Sequence, residues 1–132
     1  MKVREIMRPA RTICQSSNVM EAAQIMNKHS IGSLIVLDDA QKKLAGIITE
    51  RDIMDKVTAK NKLASKVKVC EVMTSKVITI SPEALIDDAV YLLIQHKIKK
   101  LPVVDGDELL GIVTSTDLIT NSEEIGQFYI FD

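Results

Sequence analysis

Apolar residues recur at Val19, Ala22, Ala23 and Met26, and again at Ile86, Ala89, Val90 and Leu93. Both sets follow the spacing i, i+3, i+4, i+7, which lines up four apolar side chains on one face of an α-helix, so each half of the chain is predicted to hold one amphipathic helix. Asn18, three residues before Glu21, marks the first start in a capping-box-like arrangement, and Ser81-Pro82 offers the second a cap residue followed by a proline suited to the first turn. Beyond each helix comes a short, partly β-branched apolar run, 34–37 and 101–104, that predicts a buried strand. Asp38-Asp39 and Asp105-Gly106-Asp107 read as turns into second strands at 44–48 and 109–113, and a further helix is predicted to begin near Thr49 and Thr114.

The two halves are one pattern written twice. Val3, Glu5 and Met7 meet Val69, Glu71 and Met73 at an offset of 66. At an offset of 67, Ala22, His29, Ile31, Leu34, Val36 and Asp38 meet Ala89, His96, Ile98, Leu101, Val103 and Asp105. At 65, Leu44, Gly46, Ile47, Thr49 and Asp52 meet Leu109, Gly111, Ile112, Thr114 and Asp117. The offset drifts only where loops are predicted, as it does when loops absorb insertions that packed elements refuse. The expected organisation is a first motif over 1–57, a lysine-rich linker over 58–68, a second motif over 69–122 and a tail over 123–132. Each motif reads β-α-β-β-α, giving an α/β (α+β) class. Such a unit cannot cover both faces of its own sheet, so the two are expected to pack sheet to sheet about a pseudo-twofold axis.

Composition narrows the functions open to this chain. Its 132 residues, 46% hydrophobic and 27% charged, are enough for one continuous core. Runs such as 34–37 and 109–113 fall far short of the roughly 20 residues that span a bilayer, so no membrane span is expected. The N-terminus runs straight into charged residues and lacks the apolar stretch of a secretory signal, which points to the cytoplasm. Cys14 and Cys70 have neither the spacing nor the histidine neighbours of a zinc site and read as free thiols. A net charge of −1 gathers no nucleic acid, and two Phe, two Tyr and no Trp give few stacking platforms, so nucleic acid is an unlikely partner. With no Gly-rich phosphate loop, metal cluster or nucleophile–base spacing, neither a catalytic residue nor a metal is expected.

What remains is the repeated Thr-x-x-Asp. Threonine at a helix start with an acid three residues on is first a capping box. A helix start also carries free N–H groups that suit a phosphate, while an ionised carboxylate accepts ribose hydroxyls. Thr49 and Asp52, and Thr114 and Asp117, are therefore candidate ligand residues. Arg51 adds a planar fork for phosphate in the first copy, where the second has Ser115 and the hydroxyl of Thr116. His29 and His96, each near the end of its helix, read as imidazoles favoured by the helix dipole.

The stretches Gly46-Ile47-Ile48-Thr49-Glu50-Arg51-Asp52-Ile53 and Gly111-Ile112-Val113-Thr114-Ser115-Thr116-Asp117-Leu118, with Leu101-Pro102-Val103-Val104-Asp105, resemble the tandem pair of CBS motifs called a Bateman module, here as a stand-alone protein. The first half departs at Ile35, where the second has Pro102 and where the family usually has proline. The resemblance implies a regulatory module that binds AMP, ADP, ATP or an S-adenosylmethionine-type ligand as effector, with no cofactor, and signals to a regulated protein that the sequence does not name. It implies a homodimer of face-to-face discs, and adenine lying against Ile13 and Cys14 in one half and Ile78 and Thr79 in the other. It also implies that Lys99 and Lys100, which replace Gly32 and Ser33, reach phosphates held mainly by the first half's motif. A dimerising scaffold without a ligand site is the alternative.

Overall fold

A computed structural model of the chain describes residues 1–121; the expected tail over 123–132 lies outside them. The class is α+β, and the chain divides into two compact units that cut across the sequence repeats. One unit runs from Arg11 to Val77; the other joins Met1–Ala10 to the residues from Ile78 onward.

In the unit 11–77, β1 (Thr12–Cys14) pairs parallel with β2 (Ser33–Leu37), and β2 pairs antiparallel with β3 (Leu44–Thr49). Helix α1 (Val19–His29) starts where the sequence pattern places it, with Asn18 Oδ1 accepting the Glu21 N–H at 2.9 Å. Its apolar stripe of Val19, Ala22 and Met26 is buried with Leu34, Val36 and Ile48. After β3 come α2 (Glu50–Ile53), a π turn over Met54–Thr58 and a short helix α3 (Val69–Val72). Val69 and Val72 close this core.

The second unit repeats the plan. Helix α4 (Ile86–His96) leads into β4 (Lys100–Asp105) and β5 (Glu108–Thr114), an antiparallel pair followed by α5 (Ser115–Asn121). Ile80 lies parallel beside Val103, in the place that β1 takes beside β2. The core of Ile86, Ala89, Leu93, Leu101, Val103, Val113 and Leu118 is completed by Val3 and Ile6 from the far N-terminus. Each unit thus takes its head segment from the other sequence repeat.

Two expectations shift. Helix α4 begins at Ile86 rather than at Ser81-Pro82, with Asp88 Oδ2 accepting the Leu85 N–H at 3.0 Å. Ser81 caps only a turn, because the carbonyls of Pro82 and Ala84 stay outside the helix to accept the N–H groups of Arg4 (3.0 Å) and Val3 (2.8 Å). The second shift concerns strand correspondence. Ile13 pairs with Val36 as Ile80 meets Val103, so the structural counterparts of Ile13 and Cys14 are Ile80 and Ser81; Ile78 and Thr79 answer to Arg11 and Thr12. The parallel register, not the local sequence, sets that alignment.

The head segments are held by antiparallel bridges to the last strand of each unit. Arg8 N–H donates to the Ile112 carbonyl at 2.9 Å and receives the Ile112 N–H at 2.8 Å; Thr74 and Ile47 exchange the same pair at 2.8 and 2.9 Å. Glycine precedes the strand residue in both cases. A Cβ at Gly111 would sit 2.8 Å from the Arg8 carbonyl oxygen, and one at Gly46 2.6 Å from that of Thr74. Since backbone cannot swing aside as a flexible side chain does, Gly111→Ala and Gly46→Ala should each cost about 1–3 kcal/mol. Chemical denaturation will show this as a lowered midpoint at an unchanged slope.

Candidate functional site

Both Thr-x-x-Asp motifs sit where a strand turns into a helix. β3 ends at Thr49 and β5 at Thr114, each in extended backbone that presents the threonine hydroxyl to the helix start. Asp52 Oδ2 accepts the Thr49 N–H at 3.0 Å and its hydroxyl at 3.1 Å, and the same hydroxyl accepts the Asp52 N–H at 3.1 Å. In the second motif the corresponding distances are 3.0, 2.9 and 3.2 Å. One carboxylate oxygen of each aspartate is thereby consumed by its own motif.

The other oxygen meets a cation that the sequence reading did not single out. Asp52 Oδ1 lies 3.1 Å from Lys56 Nζ, one helical turn on, and Asp117 Oδ1 lies 2.9 Å from Arg8 Nε. The aspartate side chains are only 11% and 10% exposed, so a charge held there needs such a partner. Lys56 was legible as an i+4 pair on a predicted helix. No local spacing could have linked Arg8 to Asp117.

The expected phosphate cradle at the helix starts is largely used up. Glu50 N–H donates to the Gly32 carbonyl (3.0 Å) and Ser115 N–H to that of Lys99 (2.9 Å), while the Asp N–H groups bond their threonines. α2 is also just four residues long before it widens into the π turn.

Arg51 is exposed and pairs with Asp55 at 3.1 Å. Thr116 is exposed, and its carbonyl accepts the Thr120 hydroxyl at 2.8 Å. Lys100 is in register with Thr114, which places the backbone of the lysine pair beside the second motif. Ile13 is a core residue. Cys14 pairs with Leu37, and Leu37 with Leu44, the opposite end of β3 from Thr49 and about 17 Å away along the strand. Cys14 is a free thiol, half-buried near Ser16 and Asp39. Ile78 and Thr79 are half-buried and precede the Ile80 bridge. Among the described residues no group of three or more His, Cys, Asp or Glu is placed to hold a metal ion, and no helix is long and apolar enough to cross a membrane.

His29 departs from its expected role. Partial burial of the ring, followed by the positive charges of Arg11 and Lys28, lowers its pKa from the ordinary 6.5, so the imidazolium is disfavoured despite the helix terminus.

The sequence profile of the CBS domain matches this chain twice, over residues 3–59 and 69–124. CBS domain-containing protein YhcV of Bacillus subtilis is 36% identical over 110 residues, covering 83% of this chain and 76% of that protein. A protein with CBS domains from Burkholderia ambifaria superposes with a TM-score of 0.81 at 31% identity, over 98% of this chain and 99% of its own. The hexameric CBS-CP12 protein of bloom-forming cyanobacteria superposes with a TM-score of 0.77 at 31% identity, over 95% of this chain and 70% of its own.

Removing a threonine hydroxyl takes away a helix cap and leaves a buried carboxylate short of a donor. Thr49→Val and Thr114→Val should each lose about 1–2 kcal/mol in urea unfolding. The lowered pKa of His29 has its own signature. Below 6.5 the unfolded chain takes up the imidazole proton before the folded one does, so stability should fall as pH drops from 6.5 toward the folded-state value. Melting curves of His29→Gln should lack that part of the pH dependence.

Proposed function

The chain belongs to the CBS-domain family, and we propose that it is a non-catalytic cytoplasmic regulator that binds an adenosine-bearing ligand through Asp52 and Asp117 and reports to a separate protein. The observation behind this reading is the pair of buried carboxylates, each with one oxygen fixed by its threonine and the other held by a cation whose side chain is partly exposed, 47% for Lys56 and 63% for Arg8. Such an oxygen is oriented for a ribose hydroxyl, with an exchangeable occupant already in place. AMP, ADP, ATP and S-adenosylmethionine share the ribose that this chemistry reads. Self-association as a homodimer fits a family in which the cyanobacterial relative is hexameric.

A second reading has support of its own. Both carboxylates are already satisfied within the protein, which is also what a scaffold with no ligand would show.

Calorimetry and melting curves with AMP, ATP and S-adenosylmethionine separate the two. A ligand that binds only the native state raises the melting temperature by mass action. We expect a rise with at least one of the three, and Asp52→Ala or Asp117→Ala to abolish binding at the altered site. No heat and no shift with any of them at millimolar concentration would leave the scaffold. Light scattering should give twice the chain mass; a monomer at every concentration, with and without nucleotide, would overturn the dimer.

A further inference from the structure

The two carboxylates hold their cations differently. Lys56 Nζ lies 3.1 Å from Asp52 Oδ1 and also donates to the Val72 carbonyl at 2.9 Å, so it ties the helical turn after β3 to α3. Arg8 reaches Asp117 through Nε, and among the described residues its side chain has no other partner. That side chain is 63% exposed, whereas the backbone beneath it is fixed by the two hydrogen bonds to Ile112. Arg8 is therefore anchored at its base, and its side chain, held at Nε, is mostly exposed. The same bridge position in the other unit is Thr74, which carries no charge.

We propose that Arg8 is a releasable phosphate ligand of the Asp117 site, and that it makes this site discriminate phosphorylated from unphosphorylated adenosine ligands. The proposal rests on the ribose-binding role given to Asp117 above. A ribose hydroxyl that takes Asp117 Oδ1 displaces the Arg8 guanidinium, whose fork matches two oxygens of a phosphate. With a nucleotide the displaced charge finds a new partner on the same ligand. With adenosine it finds only water, and the exchange returns less. Lys56, released from Asp52, remains bound to the Val72 carbonyl, so it offers no equivalent trade.

The test compares AMP with adenosine by calorimetry on the full chain carrying Asp52→Ala, which leaves the Asp117 site to be read alone. Adding Arg8→Gln should weaken AMP about 10-fold or more, the scale of a lost charge-assisted pair, and leave adenosine unchanged or slightly tighter. Arg8→Lys keeps a cation opposite Asp117 and guards against loss of folding; it should show a smaller AMP loss of the same sign. Both losses should shrink at high salt, because an exposed charge is screened. If AMP and adenosine weaken equally in these variants, or neither changes, Arg8 is a structural counter-ion only and the proposal fails while the ribose reading stands. If the wild-type chain binds neither compound, the ribose reading and the proposal fall together.

Discussion

A carboxylate buried to nine-tenths at the junction of a strand and a helix is the constraint around which each unit is arranged. Burial makes an unpaired charge costly, and the junction meets that cost twice, once with the threonine that closes the strand and once with a cation. The threonine and aspartate must be three residues apart for the reciprocal bonds to close, so strand end and helix start are fixed by one local contact. The cation then decides what else must be near. For Asp52 it is the next turn of the same helix; for Asp117 it is the opposite end of the chain.

That difference explains how much of the protein could be read from its sequence. Elements governed by local spacing were legible: the 3.6-residue stripes of α1 and α4, the apolar runs of β2 and β4, the Thr-x-x-Asp junctions. Lys56 was legible in principle, because i+4 pairing is a helix rule. What the sequence did not display was any consequence of long-range register. The start of α4 moves from Ser81 to Ile86 because two carbonyls are claimed by the N-terminal residues Val3 and Arg4. Ile13 corresponds to Ile80 rather than Ile78 because parallel strand pairing sets the match. Arg8 and Asp117 lie 109 positions apart, and no pattern statistic joins them.

The repeat also hid an inequality. Matched positions invite the expectation of matched sites, and the capping geometry is indeed the same within a few tenths of an ångström. Yet the cation at one site is pinned to a backbone carbonyl and at the other is held at a single point. Duplication preserved the part that folding needs and let the charged partner diverge. One difference lies outside the motif, at Arg8 against Thr74, on a strand-like segment that the motif never touches in sequence.

The exchange of head segments sets the order in which the molecule can be completed during synthesis. The residues 11–77 contain all they need for their core, including Val69 and Val72, once the chain has grown past Val77. Val3 and Ile6 are made before the sheet and helices that bury them. At about 5–20 residues per second, residues 1–10 precede the elements that complete their core by several seconds. A break placed between the sequence repeats would likewise strand each head apart from the body it completes, so the division seen in the sequence is not one along which the protein can be cut.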